Sequence, residues 1–69
     1  MTQQLYDAES GVLHSLILTL GPDRRWTWGI DAEHVKSGHI ERLEDSPGSY
    51  STANAAARDG ESALASVLA

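Results

Sequence analysis

The first half of the chain alternates apolar and polar positions, a period that is typical of β-strands. The run Val12–Leu20 carries apolar residues on both of its faces, with Leu13 and Ile17 on the face opposite Leu16 and Leu18. The glycine, proline and aspartate that follow this run favour a turn. The pattern therefore predicts a strand that enters a hairpin.

A second predicted strand starts at Trp26, where large apolar residues alternate with small or polar ones. Trp26, Trp28 and Ile30 share one face of this strand. Because the chain contains no phenylalanine, the two indole rings are the largest side chains available to fill a core. We expect at least one ring to be buried. The alternative is an exposed ring that stacks on a nucleic-acid base or binds a peptide.

A third strand is predicted between Val35 and Leu43. Ile40 breaks the alternation there, since Val35 and Leu43 have the same parity and Ile40 does not. A β-bulge near Ser37 and Gly38 would bring Val35 and Ile40 to the same face, because one extra residue reverses the alternation.

The C-terminal part of the chain has the spacing of an amphipathic helix. Ser51 or Thr52 can cap its first turn, and the pattern extends to Ala69. The interior Gly60 leaves open whether the helix is continuous or divided in two. Small and apolar residues at intervals of three and four form one stripe: Ala53, Ala56, Ala57, Gly60, Ala63, Leu64, Val67 and Leu68.

The predicted fold class is α+β, a three-stranded antiparallel β-meander packed against one C-terminal α-helix (β-β-β-α). Residues 12–69 form this single domain, and residues 1–11 form a flexible N-terminal arm. One helix can cover only one face of a sheet. The opposite, rear face then has three possible states: it is exposed to solvent, covered by Leu5 and Tyr6 of the arm, or buried against a second copy.

Length and cysteine content limit how this domain can be stabilised. A domain of 69 residues buries only about 60% of the surface of its unfolded chain. The chain has no cysteine, which excludes disulfides, thiol catalysis and the common zinc modules. A thin core must then rely on good packing, a metal or a partner subunit.

The chain is acidic, with five basic and ten acidic residues and a formal net charge of −5. Phosphate backbones and anionic lipids are repelled on average, so nucleic acid is not an expected partner. No run approaches the roughly 20 apolar residues that span a bilayer, and the N-terminus lacks the basic flank of a signal peptide. We expect a cytoplasmic protein with no membrane contact.

Candidate catalytic and metal-binding patterns are weak. Two histidines are directed at one ion when they are spaced i, i+4 on a helix or i, i+2 on a strand. His14, His34 and His39 have neither spacing. The serines lack a G-x-S-x-G elbow. The acidic residues Glu41, Glu44 and Asp45 fit a solvated strand end better than an acid–base pair. No glycine-rich phosphate loop is present. We therefore predict no catalytic, metal-binding or cofactor-binding residue, no cofactor and no small-molecule ligand.

The order of residues from Trp26-Thr27-Trp28, through Ser37-Gly38, to the segment Tyr50–Gly60 resembles the YegP-like family of small bacterial proteins. The resemblance covers residues 24–68. In that family an aromatic strand, a further strand and a Tyr-Ser segment entering an Ala-rich helix form a β-β-β-α unit, often in tandem copies. The resemblance implies a fold and no chemistry, and the tandem copies imply that a single-copy chain can pair with a second one.

The function expected from these patterns is a non-enzymatic structural or protein-interaction module, with a protein partner or a second copy. The candidate interaction surface comprises Leu13 and Ile17 on the rear face and Arg24 and Arg25 in the first turn. The alternative is a nucleic-acid-binding or toxin-binding accessory protein. A nucleic-acid binder would need Arg24, Arg25, Lys36 and Arg42 gathered on one face. An enzyme ranks third.

Overall fold

The computed structural model describes residues 2–7 and 10–69, and among residues 2–7 it describes the side chain of Gln4 alone. The predicted α+β class, an antiparallel meander followed by one C-terminal helix, is confirmed. The elements within the described residues are β1 (Thr2–Asp7), β2 (Val12–Leu20), β3 (Trp26–His34), β4 (His39–Asp45) and α1 (Ala53–Leu68).

The sheet contains one strand more than the predicted meander. The meander corresponds to β2, β3 and β4, and β1 pairs antiparallel with the other edge of β2. The alternation of apolar residues does not predict β1, which lies in the segment interpreted as a flexible arm. Pairing with β2 supplies partners for its backbone groups. The expectation that Leu5 and Tyr6 cover the rear of the sheet concerns side chains outside the described residues.

The β3–β4 hairpin contains a bulge, but the predicted position near Ser37 and Gly38 is wrong. These two residues lie in the turn, where Gly38 has a φ of 72°. The register shifts further along, because Arg42 pairs with Asp31 while Glu44 pairs with Ile30, which leaves Leu43 as the extra residue. One break in the alternation is real, and the sequence pattern alone does not fix where the chain accommodates it.

The helix begins at the predicted cap. Thr52 has an extended backbone, and its Oγ1 accepts a hydrogen bond from the Ala55 amide at 3.1 Å. The helix is continuous through Gly60, which is buried. A Cβ at Gly60 would lie 2.7 Å from Cδ1 of Leu16 and 3.1 Å from Cγ of Trp28. The glycine therefore allows α1 to approach the sheet closely without dividing the helix.

The core lies between α1 and the two central strands. Trp28 is 4% exposed and belongs to the core, whereas Trp26 packs at its edge and is half-buried, so the expectation of at least one buried tryptophan is confirmed. Ile30 has no exposed surface. The buried core cluster consists of Leu16, Leu18, Trp28, Ile30 and Ala56.

Polar contacts also hold the helix on the sheet. The Trp28 indole donates a hydrogen bond from Nε1 to Oδ2 of Asp59 at 3.1 Å, and the Tyr50 hydroxyl donates to the same oxygen. Tyr50 forms a backbone bridge with Trp26 just before the helix starts. The described part of the chain has no helix that is long and apolar enough to cross a bilayer.

Candidate interaction surface

The sheet has a second face, opposite α1, which we call the rear face. Partner residues in an antiparallel sheet share a face, and successive residues along a strand alternate between faces. Because Leu16 and Ile30 are register partners beneath α1, the residues one step away along each strand lie on the rear face. These residues are Leu13, Ser15, Ile17, Thr19, Thr27, Gly29, Asp31, Glu33, Ile40, Arg42 and Asp45.

Apolar side chains occupy part of the rear face. Leu13 and Ile17 on β2 are half-buried, and Ile40 on β4 is 58% exposed. The backbone of β1 lies beside β2 in the plane of the sheet rather than across it. No element among residues 2–7 and 10–69 therefore covers the rear face.

An ion cluster lies beside these apolar residues. The Arg42 guanidinium donates from Nε to Oδ1 of Asp31 and from Nη1 to Oδ1 of Asp45, the second at 2.6 Å. It lies directly over Gly29, where a Cβ would be 2.6 Å from Cζ of Arg42. The missing side chain at Gly29 thus makes room for the guanidinium on the sheet.

The charged groups in and beside this cluster are not all hydrogen-bonded. Hydrogen bonds to Asp31 and then to Asp45 raise the pKa of Arg42 further above its ordinary value, so the guanidinium stays charged. Within the described residues, neither its Nη2 nor the carboxylate of Glu33 has a hydrogen-bond partner. The rear face thus presents one free donor group and one free acceptor group of opposite charge.

A shallow concavity of about 200 Å³ opens next to the cluster. Pockets that enclose small organic ligands are usually larger, about 300–1,000 Å³. The volume of the concavity is below that range. The concavity is lined by Ile17, Thr19, Thr27, Trp28, Gly29, Arg42, Asp45 and Ser46.

The four residues predicted as an interaction surface separate into two pairs. Leu13 and Ile17 lie together on the rear face, whereas Arg24 and Arg25 lie in the β2–β3 turn at one end of the sheet. Arg24 has a φ of 62°, a left-handed conformation. Arg25 contacts the loop before α1, donating from Nε to Oγ of Ser49 at 2.6 Å and from Nη2 to its carbonyl at 3.0 Å.

The basic residues do not share one face. Lys36 lies in the β3–β4 turn, at the opposite end of β3 from Arg24 and Arg25. Arg42 lies on the rear face between two carboxylates. This arrangement does not form the basic groove that a nucleic-acid-binding surface requires.

Two groupings on the β3–β4 hairpin escape the sequence patterns. One is the cluster of Arg42 with Asp31 and Asp45, and the other is the pair His34 and His39, which are register partners across the hairpin. Motif spacing within a single strand or helix detects neither, since both depend on the pairing of two strands. The available signal is a turn glycine at position 38 between two histidines five residues apart.

No family model matches the chain, and no curated protein or solved structure is significantly similar to it.

Proposed function

We propose that this chain is a non-enzymatic protein-interaction module, that the rear face is its interface, and that a second copy of the chain is its occupant. The observation that carries the proposal is a sheet with apolar residues on both faces and a helix on only one. Leu13, Ile17 and Ile40 lie on the face without a helix. Burying them removes apolar surface from water, which is the main driving force of association.

The size of the rear face fits a stable dimer. Strands about 4.8 Å apart and residues spaced about 3.3 Å along them give the sheet a projected area of roughly 500 Å². Side-chain relief makes the accessible area larger than this projection. A standard interface buries about 800 Å² per partner, so one whole sheet face supplies an area of that order.

The rear face carries three carboxylates and one guanidinium, and one pair of these opposite charges can be matched between two copies. In a two-fold dimer, a residue away from the axis faces a different residue of the other copy. Glu33 of one copy can therefore face Arg42 of the other copy, and Arg42 of the first can face Glu33 of the second. The free Nη2 donor of Arg42 and the free carboxylate of Glu33 fit this exchange. Two such contacts fix the orientation of the copies more than they raise the affinity.

The same features support a non-enzymatic role. The concavity on the rear face is small, and the charged groups beside it are hydrogen-bonded to one another. A catalytic acid or base needs a perturbed pKa in a cleft that holds the substrate. The carboxylates of the rear face lie beside a concavity of about 200 Å³, which is smaller than a usual substrate pocket.

Sedimentation equilibrium from about 10 µM to about 0.5 mM tests this proposal. We expect the wild-type mass to rise from that of one chain towards that of two. Ile40→Asp should weaken the dimer about ten-fold or more, because it buries an unpaired carboxylate. Val35→Asp is the matched control, since Val35 is similarly exposed, 47% against 58%, but lies in the turn outside the rear face.

A wild-type mass of one chain at the highest concentration would overturn the second copy as occupant. Equal weakening by both aspartate variants would show that general acidity, rather than the rear face, controls association. Circular dichroism of each variant checks that the fold is retained.

A further inference from the structure

We propose that His34 and His39 form a binding site for a divalent transition metal, such as Zn²⁺ or Ni²⁺, that clips the two strands of the β3–β4 hairpin together. The two residues are Cα partners in the antiparallel register, so their side chains leave the same face of the sheet side by side. The ring centroids are 6.1 Å apart and the ring planes differ by 32°.

This separation is near that required for one shared ion. With a metal–nitrogen distance of about 2.0–2.1 Å and a tetrahedral angle at the metal, the centroids of two bound imidazole rings lie roughly 5 Å apart. The observed 6.1 Å is about 1 Å longer, so both side chains must rotate to bring the rings closer and direct one nitrogen of each at the ion. Both side chains are exposed, so an ion can reach them without opening the core.

The turn between the histidines holds them in place. The amide of Gly38 donates to the carbonyl of His34 at 2.7 Å, and the amide of Val35 donates to the carbonyl of Gly11 at 3.0 Å. Ser37 Oγ also accepts a hydrogen bond from the His39 amide at 3.3 Å. Because the backbone of both histidines is ordered beforehand, little conformational entropy is lost when the ion binds.

The ligand chemistry selects the class of metal. Neutral imidazole suits zinc, copper and nickel, whereas magnesium and calcium prefer oxygen ligands. Among the described residues, no group of three or more histidines and carboxylates is placed to hold one ion. The ion therefore keeps open positions for water, and its affinity is lower than that of a closed four-ligand site.

A metal ion bound at this position would link the two strands of the hairpin, as a disulfide does in many other small domains. Small domains often depend on a disulfide, a metal or a partner subunit, and this chain has no cysteine. An ion bound to both strands stabilises the folded hairpin, because the unfolded chain does not hold the two rings together.

Calorimetric titration of the whole chain with ZnCl₂, and separately with NiCl₂, tests the site. We expect one ion per chain. His34→Gln and His39→Gln should each weaken binding at least about ten-fold. Losing even a residue that only hydrogen-bonds to a metal ligand lowers metal affinity by about that factor. Lys36→Gln, on the same turn but without a ligand atom for these ions, is the matched control and should bind as wild type.

Thermal melting gives a second measurement that does not depend on heats of binding. Zinc should raise the melting temperature of the wild type and of Lys36→Gln but not of either histidine variant. Wild-type affinity in the double variant His34→Gln/His39→Gln would overturn the proposal. A ratio of one ion to two chains would also overturn it, because the ion would then join two copies rather than two strands.

Discussion

Gly60 occupies the middle of α1 and faces Leu16 and Trp28, two of the largest side chains in the core. Helix propensity alone favours alanine over glycine by about 1 kcal/mol at such a position. Packing opposes this, because a methyl group would lie 2.7 Å from Cδ1 of Leu16 and 3.1 Å from Cγ of Trp28, two side chains that are 1% and 4% exposed.

Gly60→Ala should therefore destabilise the protein rather than stabilise it. Overpacking costs about 1–3 kcal/mol, so after the gain in propensity we expect a net loss of up to about 2 kcal/mol. Urea denaturation monitored by tryptophan fluorescence measures it. Gly48→Ala is the control, because a Cβ at Gly48 meets nothing within 4 Å. A Gly60→Ala protein as stable as wild type would contradict the close contact.

The helix pattern alone does not decide the role of Gly60 in α1. A glycine inside a helical pattern fits either a break in the helix or a close helix–sheet contact. Only the position of Leu16 and Trp28, which are distant in sequence, distinguishes the two. The pattern does place Trp28 correctly in the core, since its face of β3 is defined by simple alternation.

At the scale of elements, α1 and the sheet are joined through the carboxylate of Asp59. It accepts hydrogen bonds from the Trp28 indole and the Tyr50 hydroxyl. The hydrogen bond from Tyr50 to Asp59 is the main reason that the pKa of Tyr50 is raised above its ordinary value of 10.0. The protonated phenol is therefore favoured in the folded protein.

Stability should consequently fall in alkaline solution. Because the folded-state pKa of Tyr50 is raised, its contribution is fully present below pH 10 and is lost as the pH rises through the folded-state value. Urea midpoints of wild type and Tyr50→Phe, measured from neutral pH to above pH 10, should converge as the pH rises. A constant difference between the two proteins would show that the hydroxyl contributes nothing through its proton.

Elements with a regular period were predictable, and the others were not. The strands β2 and β3 alternate clearly, and α1 repeats apolar residues every three or four positions, so their existence and order followed from the sequence. The bulge at Leu43 and the strand β1 did not, because each depends on which backbone pairs with which. Neither Leu43 nor the segment Thr2–Asp7 carries a periodic signal of its own.

At the scale of the whole molecule, the candidate surface was predictable only in part. Leu13 and Ile17 identify the rear face through alternation within one strand. The Arg42 cluster and the pair His34 and His39 required the register between β3 and β4, which no spacing rule for a single element contains. The family resemblance stays a prediction.

The order of the strands, β1-β2-β3-β4 in the sheet as in the chain, has a consequence for the speed of folding. Each strand pairing closes a connection of only four or five residues, namely residues 8–11, 21–25 and 35–38. Short closures of this kind form hairpins in about 1–10 µs. The slowest contact to form is then the one between α1 and Leu16, which are far apart in sequence. Refolding by stopped-flow mixing should be complete within milliseconds, with the burial of Trp28 as its last event.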